Sequence, residues 1–130
     1  MLYVYVGVAG AVGALARYGL GLLVASFGTS PFPVATLLIN LIGSFLLGWL
    51  THRFLQRGKP SPQIVTIIGT GMIGSFTTFS TFSVETIQLV EHDHVLLAVT
   101  YVFLSITLGL WSSWFGYHIG TKTSTRGEVK

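Results

Sequence analysis

The chain has 130 residues, of which 51% are hydrophobic and 8% are charged, whereas about a quarter of the residues in an average soluble protein are charged. This composition excludes an ordinary soluble domain and predicts a small membrane protein with one domain over residues 1–130. The absence of cysteine excludes disulfides and thiolate metal sites, and the formal charge of +3 is informative mainly through where the charges lie.

Four long apolar stretches follow one another at residues 2–27, 33–50, 64–90 and 95–119, before a polar tail at residues 120–130. Each approaches or exceeds the ~20 residues that a helix needs to cross ~30 Å of hydrocarbon. The connections GTSP, RGKPSP and EHDH are short and contain turn-forming residues. The sequence therefore predicts an all-α membrane protein with four transmembrane helices.

The basic residues predict how these helices are oriented. Six of the seven lie in the middle connection or in the tail, and these are Arg53, Arg57, Lys59, Lys122, Arg126 and Lys130. The other two connections contain neither lysine nor arginine. By the positive-inside rule, both termini are expected in the cytoplasm.

The first two stretches each contain a polar side chain that is costly to place in lipid. Arg17 is the single basic residue within an apolar stretch, where it either faces a cavity or partner or extends to the membrane interface. Asn40 lies midway along the second stretch, with Thr36 one turn earlier on the same face. Its amide needs a partner, which is either a neighbouring helix or a permeating ion, and the sequence leaves both open.

The third stretch contains GSFTTFSTFSVE, residues 74–85, in which six hydroxyl side chains fall within nine residues after three nearby glycines. Glycine weakens a helix, and serine and threonine compete for its backbone hydrogen bonds. Irregular backbone survives in a membrane only where protein or a water-filled cavity surrounds it. We therefore predict a break in the third helix between Gly74 and Thr78. A continuous helix whose hydroxyls bond the preceding turn is the alternative.

Phe76, Phe79 and Phe82 recur at intervals of three and so lie near one another on the helix surface. One interpretation is an aromatic stripe that faces lipid or another helix. In the other, the positive ring edges approach a small dehydrated anion, and the hydroxyls of Ser80 and Thr81 donate along the same path.

The remaining ionisable residues indicate neither catalysis nor metal binding by histidine. Glu85 either marks a membrane interface or pairs with Arg17 from a neighbour. The histidines are all expected at or beyond the span ends, and these are His52, His92, His94 and His118. No serine has an intramembrane histidine to act as its base, so an enzyme is not expected.

Three motifs resemble the small four-helix fluoride channels of bacteria, the Fluc or CrcB-type family, over essentially the full chain. GAVGALARY is similar to the family pattern G-x-x-G-A-x-x-R-Y, and ATLLINLIGSFLLG to G-T-L-x-V-N-x-x-G-x-F-x-x-G. GMIGSFTTFSTFSVE is similar to G-x-x-G-G-x-T-T-F-S-T-F-S-x-E, the longest and most specific of the three.

This resemblance implies a fluoride-selective ion channel in the bacterial inner (plasma) membrane that lets fluoride leave the cytoplasm passively and so limits its toxicity. It implies an antiparallel dimer with a second four-helix subunit in the opposite orientation, either identical or a paralogue, and a structural sodium ion at the dimer centre. At matching positions, backbone carbonyls of Gly74 and Thr77 would bind the sodium. The fluoride pore would use Asn40, Phe79, Phe82, Ser80 and Thr81, with Arg17 and Glu85 as vestibule or structural charges.

The chain departs from the family pattern in three respects. Ser75 replaces the second glycine of a Gly-Gly pair and is expected to stiffen or shift the break, and Ala35 replaces the glycine that opens the second motif. The six-to-zero distribution of basic residues favours a subunit of fixed orientation over one that inserts both ways.

Two other classes of protein were weighed against this one. A four-helix proton-coupled multidrug exporter needs a carboxylate deep in the first span, where this chain has none. A non-conducting membrane anchor subunit fits the composition but leaves the motif on the third span unexplained.

Overall fold

The structure, a computed structural model, describes residues 1–28, 30–57 and 61–125, and the elements in these ranges are all helical. The elements are α1 (Leu2–Ala25), α2 (Val34–Arg57), α3 (Pro62–Val65), a π-helical segment (Thr66–Ile73), α4 (Gly74–Phe76), α5 (Phe79–Glu91) and α6 (Val95–Thr125).

Within the described residues, four stretches are long and apolar enough to cross a membrane, and these are Leu2–Ala25, Val34–Phe54, Pro62–Glu91 and Val95–Gly120. The third comprises α3, the π-helical segment, α4 and α5. The prediction of an all-α protein with four helices able to span a membrane is therefore confirmed.

The second stretch is longer than its hydropathy suggested. The expected end was residue 50, but α2 continues to Arg57 and places Arg53 on the helix, over the ring of Trp49 at 5.4 Å. His52 is 2% exposed and lies within the span Val34–Phe54, and His118 lies within the span Val95–Gly120, so the prediction that every histidine lies at or beyond a span end is wrong for these two. The ring of His52 packs edge-on against that of Tyr117 on α6, at 4.7 Å between centroids, and neither of its ring nitrogens has a hydrogen-bond partner among the described residues.

Two helix pairs approach so closely that glycine is required at the contact. A Cβ added to Gly48 on α2 would overlap the carbonyl of Ser113 on α6, and one added to Gly116 would overlap the carbonyl of Phe45. Similarly, a Cβ on Gly13 of α1 would overlap the Met72 carbonyl in the π-helical segment. Small residues allow membrane helices to make such backbone contacts.

The buried core lies where α2, α5 and α6 meet. It consists of Leu37, Leu89, Ala98 and Tyr101, with Phe32, Leu41, Phe82 and Leu97 packed against it. Much of the remaining apolar surface is exposed on the single chain, including Leu15 of α1 at 70% and Phe79 of α5 at 80%. An apolar surface of this extent needs lipid or a partner to cover it.

Candidate functional site

Thr77 and Thr78 separate α4 from α5. Their ψ angles are 158° and 123°, which is extended backbone, whereas ψ in an α-helix is about −42°. Gly74 has φ −64° and ψ −32° and is itself helical. The extended residues thus lie at the C-terminal end of the stretch in which the sequence predicted a break. Both have negative φ, so a glycine is not needed to adopt this backbone.

The side chain of Asn40 pairs with both backbone groups of Thr78. The Asn40 amide nitrogen Nδ2 donates to the Thr78 carbonyl at 3.0 Å, and the Thr78 N–H donates to Asn40 Oδ1 at 2.9 Å. Thr78 is only 8% exposed, so water has little access to these groups. Asn40 therefore satisfies backbone groups that a continuous helix would satisfy internally.

Thr78 also caps the N-terminus of α5 with its hydroxyl. Its Oγ1 accepts from the backbone N–H of Thr81 at 3.2 Å, the usual geometry of a threonine N-cap. The same hydroxyl donates to Thr81 Oγ1 at 2.9 Å and lies 3.3 Å from Ser80 Oγ. Ser80 and Thr81, which were predicted to lie on one polar path, are thus brought together with Thr78 at the start of α5.

These contacts divert two backbone donors from the carbonyls that they would bond in an uninterrupted helix. The Thr78 N–H would donate to the Gly74 carbonyl, and the Thr81 N–H to the Thr77 carbonyl. In this structure they donate to Asn40 Oδ1 and to Thr78 Oγ1 instead. The carbonyls of Gly74 and Thr77 are therefore among those that lose their helical donors, together with the carbonyls of Ser75 and Phe76, which the first amides of α5 would otherwise bond.

Four aromatic rings form a column that leads away from the interruption. The centroids of Phe79 and Phe82 are 5.8 Å apart, those of Phe82 and Tyr101 are 5.0 Å apart, and those of Tyr101 and Phe32 are 5.5 Å apart with an edge-on contact. Tyr101 is completely buried. The sequence analysis missed Tyr101 and Phe32, although a tyrosine within an apolar span signals a hydroxyl that needs a buried partner.

The partner of that hydroxyl is Glu85. Tyr101 donates to Glu85 Oε2 at 2.9 Å, and Thr36 donates to Glu85 Oε1 at 2.8 Å. The carboxylate therefore joins α2, α5 and α6. Among the described residues, Arg17 is not a hydrogen-bond partner of Glu85, and it lies half-buried on α1. The two charges named by the sequence analysis thus occupy separate places in the single chain.

Ser75 connects α4 to α1 through its side chain. Its hydroxyl is 2.7 Å from the Gly10 carbonyl and 3.1 Å from the Met72 carbonyl. A glycine at this position would lack the contact with α1. The departure from the family motif thus adds a bond between the interrupted segment and α1.

An open cavity of about 310 Å³ lies beside the interruption. Its walls include Asn40, Gly74, Thr77, Thr78 and Phe79. The structure therefore brings residues from the second and third predicted spans to one surface. Arg17 and Glu85 are not part of its lining.

Four stretches long and apolar enough to cross a membrane, among the described residues, define a multi-pass membrane protein. The family described as "CrcB-like protein, Camphor Resistance (CrcB)" matches residues 4–117, and the chain belongs to this family. The resemblance inferred from the three motifs is confirmed.

Several relatives have high identity over most of both chains. The chain is 56% identical over 120 residues to "Fluoride-specific ion channel FluC 1" of Bacillus cereus (strain ATCC 10987 / NRS 248), covering 92% of this chain and 88% of the relative. It is 48% identical over 117 residues to "Fluoride-specific ion channel FluC 2" of Geobacillus kaustophilus (strain HTA426), covering 90% and 91%. These relatives are named as ion channels, not as enzymes.

Proposed function

We propose that this chain is a subunit of a fluoride-selective channel that lets fluoride leave the bacterial cytoplasm passively. The observation that carries the proposal is the extended pair Thr77–Thr78, which Asn40 holds in place at the base of the column formed by Phe79 and Phe82. In this proposal the third transmembrane helix is broken at these residues within the bilayer.

The start of α5 offers a small anion several kinds of partner. The first amides of any α-helix have no intrahelical acceptor, and its N-terminus carries a partial positive charge. The hydroxyls of Ser80 and Thr81 lie beside these amides, and the ring of Phe79 is exposed next to them. Hydroxyl donors, one Asn40 amide hydrogen and positive ring edges would together replace water around fluoride.

A second four-helix subunit in the opposite orientation would cover the interruption. On the single chain Phe79 is 80% exposed, which leaves a ring of the proposed pore without a wall on one side. The partner is either an identical chain or a paralogue.

The one-sided basic residues favour a fixed orientation with both termini in the cytoplasm. In intact cells, a label at residue 130 should then react from the cytoplasmic side alone, and equal labelling from both sides would refute a fixed orientation.

The carbonyls of Gly74 and Thr77 suit a structural sodium ion at the centre of such a dimer. Both have lost their helical donors, and carbonyl oxygens are hard ligands that suit alkali cations. When bound, the ion would neutralise the carbonyl dipoles of the interruption. We expect the dimer to dissociate at lower detergent concentration when a large organic cation replaces sodium. Equal dissociation in both salts would contradict this assignment.

The test of the function is passive efflux from liposomes that contain the purified chain, alone and together with an oppositely oriented subunit. Fluoride should leave rapidly and chloride should not. Phe79→Ile and Phe82→Ile should slow fluoride while leaving the protein folded, whereas Phe103→Ile, a change at an exposed ring on α6, should not. Wild-type rates in both pore variants would remove the ring-edge part of the mechanism.

A further inference from the structure

A second cavity, of about 400 Å³, lies between residues 30–33, which lead into α2, and the C-terminal end of α5. Its lining includes Glu85, Gln88, His92 and His94. Glu85 also binds Tyr101, so this cavity adjoins the aromatic column at the end away from Phe79. It therefore lies where a path along the column would reach the membrane surface.

We propose that this cavity is a mouth of the fluoride path, on the side opposite the basic connection, and that His92 and His94 form a proton-dependent site that collects fluoride there. This inference rests on the proposed function and adds a binding site to it. Three features support it: the backbone turn that positions the histidines, the hydrogen bond of the His92 ring, and the charges nearby.

The backbone fixes both histidines at the rim of the cavity. Beyond α5, the Asp93 N–H donates to the Val90 carbonyl at 3.1 Å, and the His94 N–H donates to the Leu89 carbonyl at 2.8 Å. This pair of bonds is the Schellman arrangement that ends many helices, with its left-handed residue at Asp93, where φ is 61°. Aspartate tolerates this conformation better than most residues other than glycine. These hydrogen bonds thus give the turn between α5 and α6 one defined conformation.

One hydrogen bond determines which nitrogen of His92 takes up a proton. Nδ1 lies 2.7 Å from the Gln88 carbonyl, and since a carbonyl can only accept, Nδ1 carries the hydrogen. In the neutral ring Nε2 therefore has a lone pair, which repels an anion. Protonation turns Nε2 into an N–H donor on a positively charged ring, and imidazole is the side chain whose charge changes between about pH 5 and 8.

The charges around the two histidines are negative, so protonation of the imidazoles determines how strongly an anion is repelled there. Glu85 lies in the lining of the cavity, and Glu91 and Asp93 are the sequence neighbours of His92, so the surroundings of the histidines have a formal charge of −3 when both imidazoles are neutral. Residues 30–33 contribute no ionisable side chain, and α6 contributes the Tyr101 hydroxyl that binds Glu85. Neither residues 30–33 nor residues 91–94 contain lysine or arginine.

Protonation of both histidines brings the formal charge from −3 to −1. In water at low salt, a unit charge about 10 Å away changes the local concentration of a monovalent anion by about twofold. Acidification should therefore raise the supply of fluoride to the mouth by up to about fourfold.

The test is the unitary fluoride current in planar bilayers at low ionic strength, with the same pH and fluoride concentration on both sides. Current is measured because neutral hydrogen fluoride crosses lipid without carrying charge. Equal solutions make the result independent of subunit orientation. For the wild type, we expect the current near pH 6 to exceed that near pH 8 by about twofold to fourfold, because protonated imidazoles attract the anion.

The double variant His92→Gln/His94→Gln should bring this current ratio to about one. The matched control His118→Gln, at the other end of α6, should keep the wild-type ratio. Asp93→Asn retains a residue that tolerates the left-handed turn but removes one carboxylate, so it should raise the current near pH 8 by about twofold. A wild-type current without pH dependence, or a double variant with the wild-type ratio, would overturn the inference while leaving the channel function intact. Absence of fluoride current at either pH, with the oppositely oriented subunit present, would overturn the channel function itself.

Discussion

Replacement of Asn40 by leucine removes both hydrogen bonds to Thr78 while keeping a side chain of similar size. The two bonds are 2.9 and 3.0 Å long, and Thr78 is 8% exposed. Hydrogen bonds between membrane helices contribute about 0.6 kcal/mol on average and about 1.7 kcal/mol at most. A buried polar group left without a partner costs about 1–3 kcal/mol. With two backbone groups orphaned, we expect Asn40→Leu to lower the free energy of unfolding by about 2–4 kcal/mol.

The assay is reversible unfolding in mixed micelles, followed through the fluorescence of the three tryptophans. Asn40→Asp is an informative companion, because its carboxylate can accept from the Thr78 N–H but cannot donate to the Thr78 carbonyl. Because its second oxygen would face that carbonyl and a charge within the span is costly, it should lose at least as much stability as Asn40→Leu. Ser44→Ala, one turn further along α2, is the control and should change it by less than about 0.5 kcal/mol. An Asn40→Leu protein as stable as the control would refute the account of how the extended residues are held.

Three further predictions can be tested in the same unfolding assay. Tyr101→Phe leaves one oxygen of Glu85 without its hydroxyl partner and should cost about 1.5–3 kcal/mol, the range for a hydrogen bond to a charged group; an unchanged stability would contradict that bond. Asp93→Gly should be neutral or stabilising, whereas Asp93→Val should cost about 1–2 kcal/mol because valine does not tolerate the left-handed backbone; equal effects would argue against the Schellman turn. Gly48→Ala should lower the free energy of unfolding by about 1–3 kcal/mol, because the added methyl group would push α2 away from α6. Gly109→Ala, at a position with open space, should raise it by up to about 1 kcal/mol. Identical results would show that the helices do not approach closely at Gly48.

The four membrane-spanning helices could be predicted from the sequence because each rests on a long continuous apolar run, a local property. The end of α2 could not, because Thr51, His52 and Arg53 look like the start of a polar connection. Contact with α6 decides their structure, since His52 is buried against Tyr117. Hydropathy along one segment carries no information about a neighbouring helix.

The sequence predicted those residues of the candidate site that lie close together in the third span. Glycines and hydroxyls indicated an interruption near residues 74–78, but the choice of Thr77 and Thr78 depends on Asn40, 38 residues away from Thr78 in sequence. The sequence left open whether Asn40 binds a helix or an ion, and the structure gives it a backbone partner. Tyr101 was missed for the same reason, because its role comes from contacts with α5.

The most direct test of the central claim is the reversal potential of the purified channel, reconstituted with its oppositely oriented subunit, under opposing gradients of fluoride and chloride. If the interruption at Thr77–Thr78 forms part of a fluoride-selective path, the potential will follow the fluoride gradient. A potential that follows chloride, or a bilayer that stays silent in fluoride, would contradict the account.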